Sequence, residues 1–203
     1  MADKMPTIRQ HQEFVRLVEA LKKRQVTFSV QHLGNSGTVL DTPEFIPDMT
    51  RVGILMYGIP PSLEVKHDAA HYRPALTLKA EVLHVARLEK GDKVSYGETW
   101  TAPESGNIAT LAIGTAQGLD GRLSNLGEVL IRGKRFSMVG RICMDLTVVF
   151  LRKESDIELG DTAVLLGQQG NETITVQDWM RLGNLDAHEI LTGLGGQLPK
   201  HYV

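Results

Sequence analysis

Apolar positions recur at helical spacing near the start of the chain. Phe14, Leu17, Val18 and Leu21 fall on one face, with Glu13, Arg16, Lys22 and Lys23 opposite, which predicts an amphipathic helix over residues 8–24. After one turn, residues 27–30 predict a short strand. His32-Leu-Gly-Asn-Ser-Gly37 then leads into a small-residue segment, a short helix ending near Asp41. Pro43 and Pro47 break the chain before the continuous apolar run 51–57, which predicts a strand buried on both faces, as in parallel α/β sheets. Helix, strand, helix, strand is α/β grammar. So few strands neither close a barrel nor cover both faces of a parallel sheet, so residues 1–70 read as a piece of something larger. Pro60-Pro61 and the polar stretch 64–71 read as a linker.

After Arg73-Pro74 the pattern changes to period two. Residues 76–85 alternate apolar and polar side chains, and turn signals recur at Glu89-Lys-Gly-Asp92, Ser105-Gly-Asn107, Asp120-Gly121, Gly133, Gly160-Asp161 and residues 167–170. Strands at that spacing predict an all-β barrel or sandwich over residues 71–203. Within it, residues 173–182 predict one helix with Thr175 as N-cap and Asp178 as its acidic partner. The tail, residues 193–199, reads as loop.

Composition narrows this picture without overturning it. The chain has 203 residues, 42% hydrophobic and 23% charged, with a net charge of -2. That balance suits a globular protein and argues against nucleic acid or an anionic membrane as the main partner. A single cysteine, Cys143, excludes an intramolecular disulfide framework and is consistent with a reducing, cytoplasmic location. No apolar run approaches the roughly 20 residues that span a bilayer.

Few residues carry an obvious chemistry. Asn35-Ser36-Gly37, between a strand and a helix start, is a candidate anion cradle, although the same residues make a common turn. Arg51-Val-Gly-Ile54 sets a cation beside the backbone N–H groups of Gly53 and Ile54, an arrangement open to a phosphate, an anionic ring nitrogen or a plain surface ion pair. His32 reads as a packed or capping histidine. Gly114-Thr-Ala-Gln-Gly118 is a glycine-flanked loop presenting Thr115, and an alcohol is a weak acid or base unless activated. Val139-Gly-Arg-Ile-Cys-Met-Asp145 reads as strand, kink or loop, strand, with the glycine marking a close backbone approach. Cys143 has no base adjacent in sequence, and no metal-ligand spacing, P-loop or nucleophile elbow occurs.

Taken together, several dispersed motifs resemble the pyridoxal-phosphate-dependent alanine racemases. They are Val139-Gly-Arg-Ile-Cys-Met-Asp145, Arg73-Pro-Ala-Leu-Thr-Leu-Lys-Ala80, Val94-Ser-Tyr-Gly97, Trp100-Thr-Ala-Pro103, Leu123-Ser-Asn125 and Asp48-Met-Thr-Arg-Val-Gly-Ile54. The resemblance implies that residues 1–70 are the C-terminal remnant of a TIM-like α/β barrel and residues 71–203 the family's β-domain. It implies a cofactor, pyridoxal 5'-phosphate, with Ser36, Gly53 and Ile54 at its phosphate and Arg51 at its ring nitrogen. Met144 matches the residue at the substrate carboxylate, donated across a dimer interface. The implied activity is interconversion of L- and D-alanine, which supplies D-alanine to cell-wall precursors.

Two departures from the family pattern shape the expectation. The cofactor lysine of the family lies in a Lys-Ala-Asn-Ala-Tyr-Gly-like motif, and no such motif occurs in these residues. The catalytic tyrosine, in a Gly-Tyr-Ala-Asp-Gly motif, falls on Thr115. Leu119 and Asp120 also break the pattern, and a later phosphate-contacting tyrosine falls on Gly196. The expectation is therefore a truncated racemase, inactive alone. The alternatives are a subunit completed in trans by a polypeptide carrying the missing lysine, and a non-enzymatic module that dimerises or associates with a full-length homologue. Open edges on strands 27–30 and 51–57 would lie at such a contact.

Overall fold

The computed structural model describes residues 3–64, 71–153, 156–194, 196 and 198–202. Most of the expected linker, the first two residues, and Gly195 and Gln197 of the expected tail loop lie outside the described residues. The chain divides into two compact units, Met1–Ala75 and Leu76–Val203.

In the first unit a long helix, α1 (Met5–Lys23), starts with Pro6 in its first turn and ends on Lys22 and Lys23, cations placed where the helix dipole favours them. The apolar stripe that predicts this helix is present, yet no residue of α1 is buried. Strand β1 (His32–Asn35) pairs in parallel with β2 (Met49–Arg51), in register His32 with Met49 and Asn35 with Arg51. Between them lies α2 (Ser36–Asp41), the short helix expected there. Its capping box is complete: Asn35 Oδ1 accepts the N–H groups of Gly37 and Thr38, and Thr38 Oγ1 accepts from Asn35 N–H.

Two expected strands are not found in this unit. Residues 27–30 are irregular, and Val26, Phe28 and Val30 stand 43, 53 and 52% exposed. Alternation alone makes no strand without a neighbour to receive its hydrogen bonds. The ladder begins only at Gln31, whose carbonyl accepts from Asp48 and Met49 N–H. The run 51–57 also fails as a strand, because β2 stops at Arg51 and Ile54–Tyr57 is a 3₁₀ turn. Gly53 (φ -120°, ψ -92°) breaks the extended path, and Gly58 ends the turn in the left-handed region. A Cβ on Gly58 would sit 1.9 Å from the Arg73 carbonyl oxygen, so the turn requires glycine there. Residues 27–30 therefore offer no strand edge, and of the run 51–57 only Arg51 belongs to a strand.

The second unit is a closed antiparallel barrel. Its strands are β3 (Leu78–Leu88), β4 (Lys93–Val94), β5 (Trp100–Thr101), β6 (Gly106–Leu111), β7 (Glu128–Ile131), β8 (Lys134–Met138), β9 (Thr147–Arg152), β10 (Thr162–Gln169) and β11 (Glu172–Ile174). The main sheet runs β11-β10-β3-β6-β9-β8-β7, and β10 pairs again with β7 through Ala163–Ile131 and Val164–Leu130. That last pairing closes the sheet and decides between barrel and sandwich, because closure leaves no open edge around the ring. Leu111, Leu130, Ile131, Met138, Leu151, Leu165 and Leu166 are almost wholly buried, and because the neighbours Leu130–Ile131 and Leu165–Leu166 point to opposite faces, β7 and β10 are covered on both sides there. The period-two pattern of β3 points Leu78 and Val82 into this core.

Helix α3 (Val176–Gly183) has the N-cap the sequence predicts, but residues 173 and 174, expected in the helix, belong to β11. Thr175 Oγ1 accepts from Asp178 N–H, and Asp178 Oδ2 accepts from Thr175 N–H and Oγ–H. Trp179 seats the helix, 1% exposed. A further helix, α4 (Ala187–Gly193), lies before the expected tail loop and overlaps it only at Gly193. Its own capping box, Asp186 with Glu189, was the available signal for it.

Candidate functional site

In the first unit the candidate residues meet where β1 and β2 end side by side. Ser36, 4% exposed, opens α2, and its Oγ accepts from the N–H groups of Gly53 (3.1 Å) and Leu55 (3.3 Å). The serine thus stitches the β1–α2 junction to the turn after β2. Because Oγ serves as acceptor in both bonds, the hydroxyl proton is left to donate to something else. Ile54 heads the 3₁₀ turn, where an N–H has no partner inside the turn. Beside it a Cβ on Gly53 would meet nothing within 4 Å, so the backbone faces open space. Arg51 is exposed, and its Nη1 lies 2.7 Å from His32 Nδ1 on the paired strand. His32 is therefore neither a core residue nor a cap; it holds the guanidinium.

In the second unit two loops lie against each other. One is the 3₁₀ turn Thr115–Gln117 after β6; the other is the segment 139–146 between β8 and β9. Thr115 N–H donates to Cys143 O (3.0 Å) and Ala116 N–H to Met144 O (2.8 Å). The approach is close enough that a Cβ on Gly114 would come within 2.3 Å of Cys143 O. Gln117 Oε1 accepts from Gly114 N–H (2.9 Å), and its Nε2 donates to Asp145 Oδ1 (3.0 Å). Thr115 and Met144 are thereby neighbours with exposed side chains, Met144 at 67%.

The second loop is held from its other side as well. Gly140, at φ +74°, packs so tightly on the connection between β4 and β5 that a Cβ would sit 2.6 Å from Ser95 Cβ. Ser95 Oγ donates to Arg141 O (2.6 Å) and lies 3.5 Å from Cys143 Sγ. Asn125, itself at φ +62°, accepts from Gly140 N–H, and Ser124 Oγ accepts from Ile142 N–H. The segment 139–145 is thus a braced loop, and its glycine marks the close approach expected of it.

Ser36, Gly53, Ile54 and Arg51 come together in one unit, and Thr115 with Met144 in the other. Pattern reading passed over Gln117 and Ser95, because a polar side chain bridging two loops leaves no periodic trace. Among the described residues no group of three His, Cys, Asp or Glu is placed to hold a metal ion, and no helix is long and apolar enough to cross a membrane. The resolved pKa shifts belong to structural pairs. The Arg122 guanidinium holds the Asp120 carboxyl below its ordinary range, and the His188 backbone N–H does the same for Asp186.

Comparison with known proteins points one way. The C-terminal domain of alanine racemase matches residues 75–202, and its N-terminal domain matches residues 1–61. The alanine racemase of Carboxydothermus hydrogenoformans is 41% identical over 194 residues, covering 96% of this chain and 53% of that protein. That of Desulforamulus reducens is 35% identical over 201 residues, covering 99% and 54%. Among solved structures, the alanine racemase from D-cycloserine producing Streptomyces lavendulae superimposes with a TM-score of 0.91 at 36% identity, covering 98% of this chain and 52% of that one. The chain spans about half the length of the curated relatives it matches.

Proposed function

The chain belongs to the alanine racemase family, and from that membership we propose that it carries the phosphate-side wall and the β-domain of a racemase site but does not interconvert L- and D-alanine by itself. The observation that carries this reading is Thr115, an alcohol on the loop hydrogen-bonded to the Met144 segment, where the family's motif places a phenol.

The first-unit residues suit the phosphate end of pyridoxal phosphate. Ser36 has a hydroxyl proton to give, Ile54 has an N–H without a partner inside its turn, and Gly53 leaves room for an anion beside the backbone. Arg51, whose guanidinium is held by His32, would serve the ring nitrogen, as the family resemblance implies. When bound, the cofactor supplies an electron sink that makes the α-proton of an amino acid removable. Neither β1 nor β2 carries a lysine, so these strands offer no amine for covalent attachment.

Inverting Cα by the two-base route needs an acid–base group on each face. Thr115 would stand on one of them, and a threonine hydroxyl neither takes nor gives that proton usefully near neutral pH. Met144, with its exposed thioether, would stand at the substrate carboxylate, the role the family resemblance implies for it. The cytoplasmic location, the cell-wall role of D-alanine and a homodimer or pairing with a full-length homologue belong to the same proposal. Completion by a lysine-bearing polypeptide is a second reading. It is favoured by the two-stranded parallel pair β1–β2, since parallel pairs are found almost only inside larger covered sheets.

An assay with pyridoxal phosphate, run with and without a polypeptide carrying the lysine motif, separates these readings. The proposal expects no D-alanine in the first arm. Turnover confined to the second arm supports completion in trans, and turnover by the chain alone refutes the proposal.

A further inference from the structure

We propose that Gln117 is a positioning residue: its carboxamide clips the Thr115 turn to the Met144 segment and fixes the two exposed side chains as one surface. Its significance rests on the racemase reading above, but the clip itself rests on geometry alone. Gly114 is buried, and its N–H finds its acceptor in Gln117 Oε1 at 2.9 Å. The other end of the same amide donates to Asp145 Oδ1 at 3.0 Å. Asp145 directly follows Met144, so a restrained carboxylate restrains the Met144 backbone.

Side-chain chemistry makes this clip specific. The arrangement needs an acceptor and a donor on one planar group at glutamine's reach. Glutamate would still accept from Gly114 N–H but would set a second carboxylate against Asp145, while leucine would serve neither. The backbone bonds from Thr115 and Ala116 to Cys143 O and Met144 O join the loops at only two points, both on the same turn. The Gln117–Asp145 bond adds a third beyond them. Met144 is 67% exposed, so packing does little to hold its side chain, and the hydrogen bonds hold the backbone that carries it.

The test is amide hydrogen exchange at Thr115 and Ala116 in the full chain, without cofactor or substrate. Gln117→Glu is expected to speed exchange there about 10-fold, as loss of a hydrogen bond to a charged group should, and Gln117→Leu by at least as much. Melting temperature should move by no more than about 4 °C for so local a change. The double variant Gln117→Glu with Asp145→Asn restores a donor opposite an acceptor, and exchange should return to within about threefold of the parent. A side chain that merely fills space would not be rescued by that swap. If Gln117→Leu fails to fold, Gln117→Glu and the double variant still decide the matter. Unchanged exchange in Gln117→Glu, or a double variant as fast as Gln117→Glu, overturns the clip. Because no activity is read, failure here leaves the racemase reading standing, and failure of that reading leaves the clip.

Discussion

Thr115 presents an alcohol at the head of a turn whose backbone is bonded to the carbonyls of Cys143 and Met144. Replacing it with tyrosine adds an acid–base group without asking anything new of the backbone, because the side chain is exposed. In the presence of a lysine-bearing partner, Thr115→Tyr is expected to raise alanine racemisation by at least about 100-fold, the lower end of what a positioned general acid–base group contributes. An equal rate in the two proteins would show that Thr115 does not stand at the proton-transfer position. Ser36 permits a second prediction at this scale. Ser36→Ala removes the acceptor that Gly53 and Leu55 share, leaving two N–H groups unpaired beside a buried position. Loss of a buried partner costs roughly 1–3 kcal/mol, so the chain should be destabilised by about that much and its half-saturation by pyridoxal phosphate should rise. A denaturant midpoint and a fluorescence titration read the two effects. Single residues were legible from the chain only where a motif surrounded them: Ser36 and Thr115 were, whereas Gln117 and the His32–Arg51 pair needed the loops and strands to be brought together.

Among the elements, what period and capping alone determine was legible, and what a neighbour determines was not. Helix α3 follows from Thr175 and Asp178, a local signal that the structure realises atom by atom. The strands of the barrel follow from alternation and recurring turns. Residues 27–30 alternate as well but receive no ladder hydrogen bonds, and 51–57 is apolar but turns at Gly53. Pairing is a property of two segments, so one segment's pattern cannot report it. The capping boxes give a pH prediction. Asp178 sits below its ordinary pKa although burial pushes it up, because Thr175 and Arg181 hydrogen bonds outweigh that push. Asp186 is lowered chiefly by the His188 backbone N–H. Carboxyls with depressed folded-state pKa values stabilise fully above their unfolded value near 3.8, and that stabilisation is lost as pH falls below it toward the folded value. The β-domain should therefore lose stability below about pH 4, and Asp186→Asn should lose less over that window. Parallel acid-unfolding curves for the two proteins would contradict the assignment. At neutral pH, Thr175→Ala should cost about 1 kcal/mol by removing the α3 cap.

Taken as a whole, the molecule is two units with unequal cores. Residues of the barrel such as Leu130, Ile131, Leu151 and Leu165 are fully buried within one closed sheet, whereas α1 buries none and the β1–β2 pair carries the exposed Phe28, Val30 and Met49 nearby. The family, the α/β-then-β order and an all-β second unit, barrel or sandwich, were readable from dispersed motifs and turn spacing. The closure through β10 and β7 was not, since no local pattern specifies which strands meet around a ring. The central proposal is that the chain, which matches both domains of the alanine racemase family, lacks among these residues the proton-moving groups of a racemase. The most direct measurement is deuterium incorporation at Cα of L-alanine in D₂O, with the chain and pyridoxal phosphate together. The account predicts exchange no faster than with pyridoxal phosphate alone and no D-alanine formed. Exchange well above that blank, or any D-alanine beyond it, would contradict it.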